Sequence, residues 1–181
     1  AVANILLRAL RVNYVGELGW ELFVATEYAR HVLDAVGDAD GLKLCGLIAL
    51  ESLRLEKGYR HFGHDIRDED HVLEAGLGFA VATDKSNGRF GDFIGRDKVI
   101  AEKEAPPARR LVTLVVDADD ADVVADEPIW RDGAVVGFVT SGGYAHFVDK
   151  SVALGFVPTE MIEDGARFEI EILGDMRPAT L

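Results

Sequence analysis

Apolar and polar residues alternate at the start of the chain. Leu6, Arg8, Leu10, Val12 and Tyr14 share one face under a two-residue period, which predicts a strand over residues 5–14. Gly16 and Gly19 punctuate a turn. Residues 20–24 predict a second strand, with Glu21 and Phe23 opposite Trp20, Leu22 and Val24. The pair reads as a hairpin whose loop is slightly longer than the tightest class. The period then changes. Tyr28, Val32 and Val36 fall four apart and predict a helix with Thr26 as its N-cap, ending near Val36 with Gly37 as its stop. Residues 46–58 predict a second helix. Its apolar positions point most of the way round, so burial on several sides is expected, yet it carries Glu51, Arg54 and Glu56. Glu51 and Arg54 are three apart and can meet on one face. Charges in such a helix need partners, so Arg54 is expected to be buried and paired with Glu51 or Glu56.

Residues 60–74 are polar and rich in histidine and read as loop. A strand near 76–82, a loop with Asn87-Gly88 and a short helix at about 96–104 after Gly95 follow. Ala105-Pro106-Pro107-Ala108 is the clearest linker signal. Beyond it the pattern is nearly all β. Leu111, Thr113 and Val115 alternate with Val112, Leu114 and Val116, and Asp132-Gly133 between two apolar pairs is a strong hairpin signal. Further strands fit 135–140, 151–157, 167–173 and 176–181. Short strands at this spacing suggest a small barrel or sandwich.

Composition narrows the partners. With 181 residues, 49% hydrophobic and 28% charged, the chain can bury a core without staples. A net charge of −13 disfavours nucleic acid and anionic membrane surfaces as partners. Cys45 is the only cysteine, so no internal disulfide can form, and a reducing compartment fits. No apolar run approaches the ~20 residues of a spanning helix. The chain opens abruptly in strand-like sequence, as a piece of a larger protein would.

Three places offer chemistry. In Tyr14-Val15-Gly16-Glu17-Leu18-Gly19-Trp20-Glu21, two glycines let the backbone turn sharply or approach a ligand. A carboxylate beside such a turn can accept two parallel N–H bonds, as a pterin or guanidinium-like edge offers. The competing reading is a plain hairpin with solvated glutamates. His61, His64, Asp65 and His71 carry metal-ligating groups, but their spacing matches no strong metal motif, and surface or hydrogen-bonding histidines are the simpler reading. Ser141-Gly142-Gly143-Tyr144-Ala145-His146 lacks the following helix of a phosphate cradle, and reads as a turn exposing Tyr144 and His146.

Five segments together resemble the glycine cleavage T-protein family of folate-dependent enzymes. They are Tyr14-x-Gly16-Glu17-x-Gly19-x-Glu21, Gly46-Leu47 with Leu53-Arg54-Leu55-Glu56, Phe93-Ile94-Gly95-Arg96, Gly137-x-Val139-Thr140-Ser141-Gly142, and Ala153-Leu154-Gly155-Phe156-Val157. They stand in the family's order over most of the chain. The run Leu53 to His61, and Ser141-Gly142-Gly143-Tyr144 with Lys150, resemble the branch fused to dimethylglycine and sarcosine dehydrogenases. In that branch a flavin module oxidises an N-methyl amine and the folate module captures the one-carbon unit.

The resemblance implies an α+β fold. Residues 1–105 would be the C-terminal half of the folate-binding domain with its connecting segment, and residues 106–181 a C-terminal β-barrel. It implies tetrahydrofolate as cofactor, with Tyr14 and Glu21 lining the pterin pocket. The partners implied are the folate and a one-carbon donor amine, with FAD held by the parent protein and not by this chain. Where T-proteins proper carry arginine in an Ala-Arg-Asp pattern, this chain has Leu50 in Ala49-Leu50-Glu51, which agrees with the dehydrogenase branch. The family's catalytic aspartate is expected upstream of Ala1, so no catalytic residue and no metal ligand is assigned here. By itself the chain is expected to be inactive and to self-associate through the face carrying Leu6, Leu10 and Val12. A cytoplasmic location, or the mitochondrial matrix in a eukaryote, is expected. The rival readings are a non-catalytic folate-fold module with a regulatory or assembly role, and a metal-dependent hydrolase built on the histidine loop.

Overall fold

A computed structural model describes residues 1–83 and 93–181; the expected Asn87-Gly88 loop lies outside them. The chain divides into two compact units, Ala1–Tyr59 and Arg60–Leu181.

In the first unit, β1 (Arg8–Leu10) and β2 (Glu21–Phe23) form an antiparallel ribbon, with Arg8 opposite Phe23 and Leu10 opposite Glu21. The expected hairpin is present, but its strands are three residues each and the connection covers residues 11–20. The reason is where the backbone donors go. The N–H groups of Val15, Gly16 and Glu17 all turn to the Asn13 side chain instead of a partner strand. Two helices follow, α1 (Thr26–Gly37) and α2 (Leu47–Glu56). Thr26 is the first helical residue of α1 rather than its cap. Ala25 takes the cap position with no side-chain bond, and its carbonyl accepts the Tyr28 N–H at 2.9 Å. Val32 is buried, whereas Tyr28, expected on the same stripe, is exposed.

The α2 helix departs from the expected all-round burial. Leu47 and Ile48 in its first turn are 80% and 88% exposed, and only the last turn, with Arg54 and Leu55, is buried. Arg54 pairs with Glu51 as the spacing predicts, at 2.6 Å from Nη2 and 2.7 Å from Nε to the same oxygen. Its Nη1 donates to the Tyr59 carbonyl at 3.2 Å, beyond the helix end. The guanidinium therefore ties the last turn of the helix to the chain three residues past its end.

The second unit is built on a closed six-stranded antiparallel barrel. Its strands are β3 (Arg109–Val116), β4 (Pro128–Arg131), β5 (Ala134–Ala145), β6 (Lys150–Pro158), β7 (Arg167–Ile172) and β8 (Asp175–Thr180), in the order β3-β6-β5-β4-β7-β8. Closure decides between the barrel and the sandwich that the strand spacing left open. Inward side chains such as Leu114, Ile129, Val139, Val157 and Ile170 form the core. Asp132 and Gly133 both take positive φ, 52° and 77°, as a tight twisted hairpin requires between β4 and β5.

Two sequence expectations fail in this unit. Residues 76–82 hold a short 3-10 turn, Gly78–Ala80, instead of a strand. Gly76 has φ +68°, and the N–H groups of Ala80 and Val81 bond back three residues, so the alternation of Leu77, Phe79 and Val81 is not that of a ladder. Ser141 to Ala145 belongs to β5 rather than to a loop. The strand continues through an irregularity between Val139 and Ser141, and Gly142 is needed because a Cβ there would stand 2.5 Å from the Val123 carbonyl oxygen. Tyr144 lies half-buried near the strand end, its hydroxyl donating to Asp149, and His146 is exposed in the following turn. α3 (Arg96–Glu104) starts after Gly95 as expected.

Residues 60–76 pack on the barrel of the same unit. Beyond the two positions where β3 pairs with β8, the Leu111 N–H is taken by the Glu74 carbonyl at 2.7 Å. Arg109 binds Asp70 at 2.8 Å and lies 4.5 Å over the Phe156 ring.

Candidate functional site

The connection between β1 and β2 is organised around one side chain. Asn13 Oδ1 accepts the N–H groups of Val15 at 3.0 Å, Gly16 at 2.6 Å and Glu17 at 3.2 Å. Gly16 takes φ +75°, and a Cβ there would overlap the Lys57 methylenes. A Cβ on Gly19 would stand 2.9 Å from the Asn13 Cβ, so the Asn13 side chain also fills the return limb. Lys57 Nζ lies 3.8 Å from a Glu17 oxygen, a loose and exposed pair worth little by itself. The Tyr14 ring faces Tyr59 with centroids 6.1 Å apart. The end of α2 thus holds the loop from one side while Asn13 ties it from within.

Tyr14 and Glu21, the two residues singled out by sequence, stand at opposite ends of this loop. Tyr14 is half-buried. Glu21 opens β2, is exposed, and its carboxylate has no hydrogen-bond or ion-pair partner among the described residues. An exposed carboxylate at a strand start can accept two parallel N–H donors, and the Tyr14 ring offers a flat apolar face. Asn13, Lys57 and Tyr59 were not singled out by sequence. Asn13 carried a usable signal, since an asparagine ahead of a glycine turn satisfies backbone donors. Leu50, where the sequence departs from the T-protein pattern, lies half-buried in the middle of α2.

The histidine loop is arranged for structure. Asp65 is 1% exposed; one oxygen accepts the Thr140 hydroxyl at 2.6 Å and the other the His61 N–H at 2.8 Å. His61 and His64 rings lie 4.4 Å apart, while His71 pairs with Glu102 on α3. Burial lowers the Arg60 guanidinium below its ordinary range, and the Asp65 charge opposes that; Arg60 Nε donates to the Ala75 carbonyl at 2.9 Å. Among the described residues no group of three or more His, Cys, Asp and Glu side chains is placed to hold a metal ion. A groove of about 520 Å³ runs between this loop and the barrel, lined by Asp70, Arg109, Phe138 and Phe156 among others. No helix among the described residues is long and apolar enough to cross a membrane.

Known proteins share this architecture. Over 183 residues the chain is 39% identical to the mitochondrial dimethylglycine dehydrogenase of Homo sapiens, covering 99% of this chain and 21% of that protein. It is 39% identical to an aminomethyltransferase of a Synechocystis strain over 164 residues, 91% of this chain and 42% of that one. The crystal structure of glycine cleavage system aminomethyltransferase T from Bartonella henselae superposes with a TM-score of 0.86 at 28% identity, over 96% of this chain and 47% of that one. The chain therefore spans a fifth to just under a half of the length of these relatives. The GCVT N-terminal domain model matches residues 1–85 and the glycine cleavage T-protein C-terminal barrel domain model matches residues 109–181. Two models of one family, met in order along the sequence, account for most of its length, and the chain belongs to the glycine cleavage T-protein family.

Proposed function

We propose that this chain binds tetrahydrofolate for one-carbon transfer, as part of an enzyme that places an aminomethyl or methylene unit on the folate. The observation that supports this reading most directly is Glu21, a carboxylate with no partner among the described residues, fixed at the start of a strand beside a loop that presents Tyr14. The 2-amino-4-oxo edge of a pterin offers two adjacent N–H donors, which a carboxylate matches with two charge-assisted bonds. Tyr14 packs on the ring system and excludes water from one side. Tetrahydrofolate supplies the nucleophilic nitrogens that accept the one-carbon unit; the residues of this chain bind and orient it.

The parent protein carries a flavin-dependent N-methylglycine dehydrogenase, and FAD is held there outside this chain. The identity to dimethylglycine dehydrogenase over 99% of the chain and Leu50 in place of the family arginine support that branch. The partners are the folate and a one-carbon donor amine. Residues 1–105 serve the folate site and residues 106–181 form the barrel module. The location is the cytoplasm, or the mitochondrial matrix in a eukaryote.

Anaerobic titration calorimetry of tetrahydrofolate into the full-length protein tests the reading. Glu21→Gln should weaken binding by about 2–3 kcal/mol, because an amide donor then faces a ligand donor. Unchanged affinity would remove Glu21 from the site. No binding by the wild-type protein would favour a regulatory or assembly role instead.

A further inference from the structure

We propose that Asn13 is the positioning residue of the folate site, acting through the backbone of the loop that carries Tyr14 and leads to Glu21. The inference rests on the folate reading of that loop. Three consecutive donors, the N–H groups of Val15, Gly16 and Glu17, converge on the single Asn13 oxygen at 2.6–3.2 Å. The three residues involved follow Tyr14 directly, so the bond set fixes the path of the chain as it leaves the aromatic ring. A Cβ on Gly19 would stand 2.9 Å from the Asn13 Cβ, so the same side chain also borders the other limb, two residues before Glu21. One short side chain therefore spans both ends of the ligand-binding stretch.

The physical consequence is preorganisation. Between β1 and β2 the loop has ten residues, 11–20, and the ribbon that closes it is only three pairs long. Such a ribbon is marginal by itself, and a loop of that length samples many conformers unless something internal holds it. Without the Asn13 acceptor, three N–H groups lose their common partner and turn to solvent, and the loop spreads over conformers in which Tyr14 and Glu21 are not both aimed at one ligand. Binding then falls by the fraction of time the competent conformer is populated. The chemical step, carried out by groups other than Asn13, keeps its rate once folate is bound. The signature is a rise in the tetrahydrofolate Kd and KM with kcat retained.

The test uses the full-length protein with tetrahydrofolate as titrant and as acceptor. Asn13→Ala should raise Kd and KM about tenfold or more and leave kcat within about twofold. Asn13→Asp keeps an oxygen at the centre of the three donors and should restore most of the affinity; this second variant also carries the test if the alanine variant fails to fold. Glu21→Gln is measured alongside. If Glu21→Gln weakens binding and Asn13→Ala does not, the positioning role is wrong while the folate site stands. If Asn13→Asp binds as poorly as Asn13→Ala, or about tenfold more weakly than wild type when the alanine variant cannot be measured, the acceptor oxygen is not what matters and the proposal is overturned. If neither Glu21→Gln nor Asn13→Ala changes affinity, the folate reading of the loop fails and the positioning role falls with it.

Discussion

The Thr140 hydroxyl donates to the buried Asp65 carboxylate at 2.6 Å, tying the histidine loop to strand β5 of the barrel across 75 residues of sequence. The same hydroxyl lies 3.2 Å from the Leu154 carbonyl, but it has one proton, and the shorter, charge-assisted bond takes it. Thr140→Val keeps the shape and removes the donor. It should cost about 1.5–3 kcal/mol in urea unfolding, because a buried carboxylate loses one of its donors. Thr140→Ser should recover most of that. A valine variant as stable as wild type would mean that Asp65 is satisfied elsewhere.

Arg54 is 3% exposed, yet its partner Glu51 has a side chain 41% exposed. This asymmetry sets the size of the effect. When both members of a pair are buried, breaking it costs about 3–5 kcal/mol. Here Glu51 can turn to water once Arg54 is gone, so Arg54→Ala should cost less, about 2–3 kcal/mol, for the lost bonds to Glu51 and to the Tyr59 carbonyl. Arg54→Lys should recover little of it, since a single ammonium cannot span both acceptors with the planar fork. Thermal unfolding of the two variants checks the order.

Gly142 sits where a side chain has no room. A Cβ would meet the Val123 carbonyl oxygen at 2.5 Å and its Cγ1 at 2.7 Å, and Val123 is fully buried in the barrel core. Backbone cannot yield as a flexible side chain does. Gly142→Ala should therefore lower stability by about 1–3 kcal/mol, in spite of the lower chain entropy that alanine brings to the unfolded state. A melting temperature equal to wild type would show that the loop bearing Val123 gives way freely.

The parts legible in the sequence were those whose pattern is local. The barrel strands and the Asp132-Gly133 hairpin follow from two-residue alternation and turn chemistry, and the Glu51–Arg54 pair from helical spacing. The misread parts depend on partners distant in sequence or on where backbone donors turn. Ser141-Gly142-Gly143 looks like a loop because glycines mark turns, but Gly142 relieves crowding against Val123 within a strand. Residues 76–82 alternate like a strand, yet Gly76 breaks the ladder. At the candidate site, the family resemblance points to Tyr14 and Glu21, which the structure places at opposite ends of one loop. Asn13 was overlooked because its contribution lies in three backbone bonds that spacing does not display.

Glu127 gives the second unit a pH dependence with a definite sign. Burial raises its carboxyl above the ordinary glutamate range, and the Val124 N–H, which donates to it at 3.0 Å, pulls less strongly the other way. A raised folded-state pKa means that folding favours the protonated acid. The resulting stability is fully present below the ordinary carboxylate pKa, and it is lost as pH rises through the raised value. As pH rises the residue ionises and takes on the desolvation cost. Glu127→Gln keeps a carbonyl oxygen for the Val124 N–H and has nothing to ionise. The variant should therefore melt above wild type at pH 7, and the gap should narrow steadily as pH is lowered toward 4. Comparing the two proteins at each pH cancels the titration of the other carboxylates, which they share. A gap that widens on acidification would mean that the bond to Val124 outweighs burial and that the carboxylate form is the one the fold prefers.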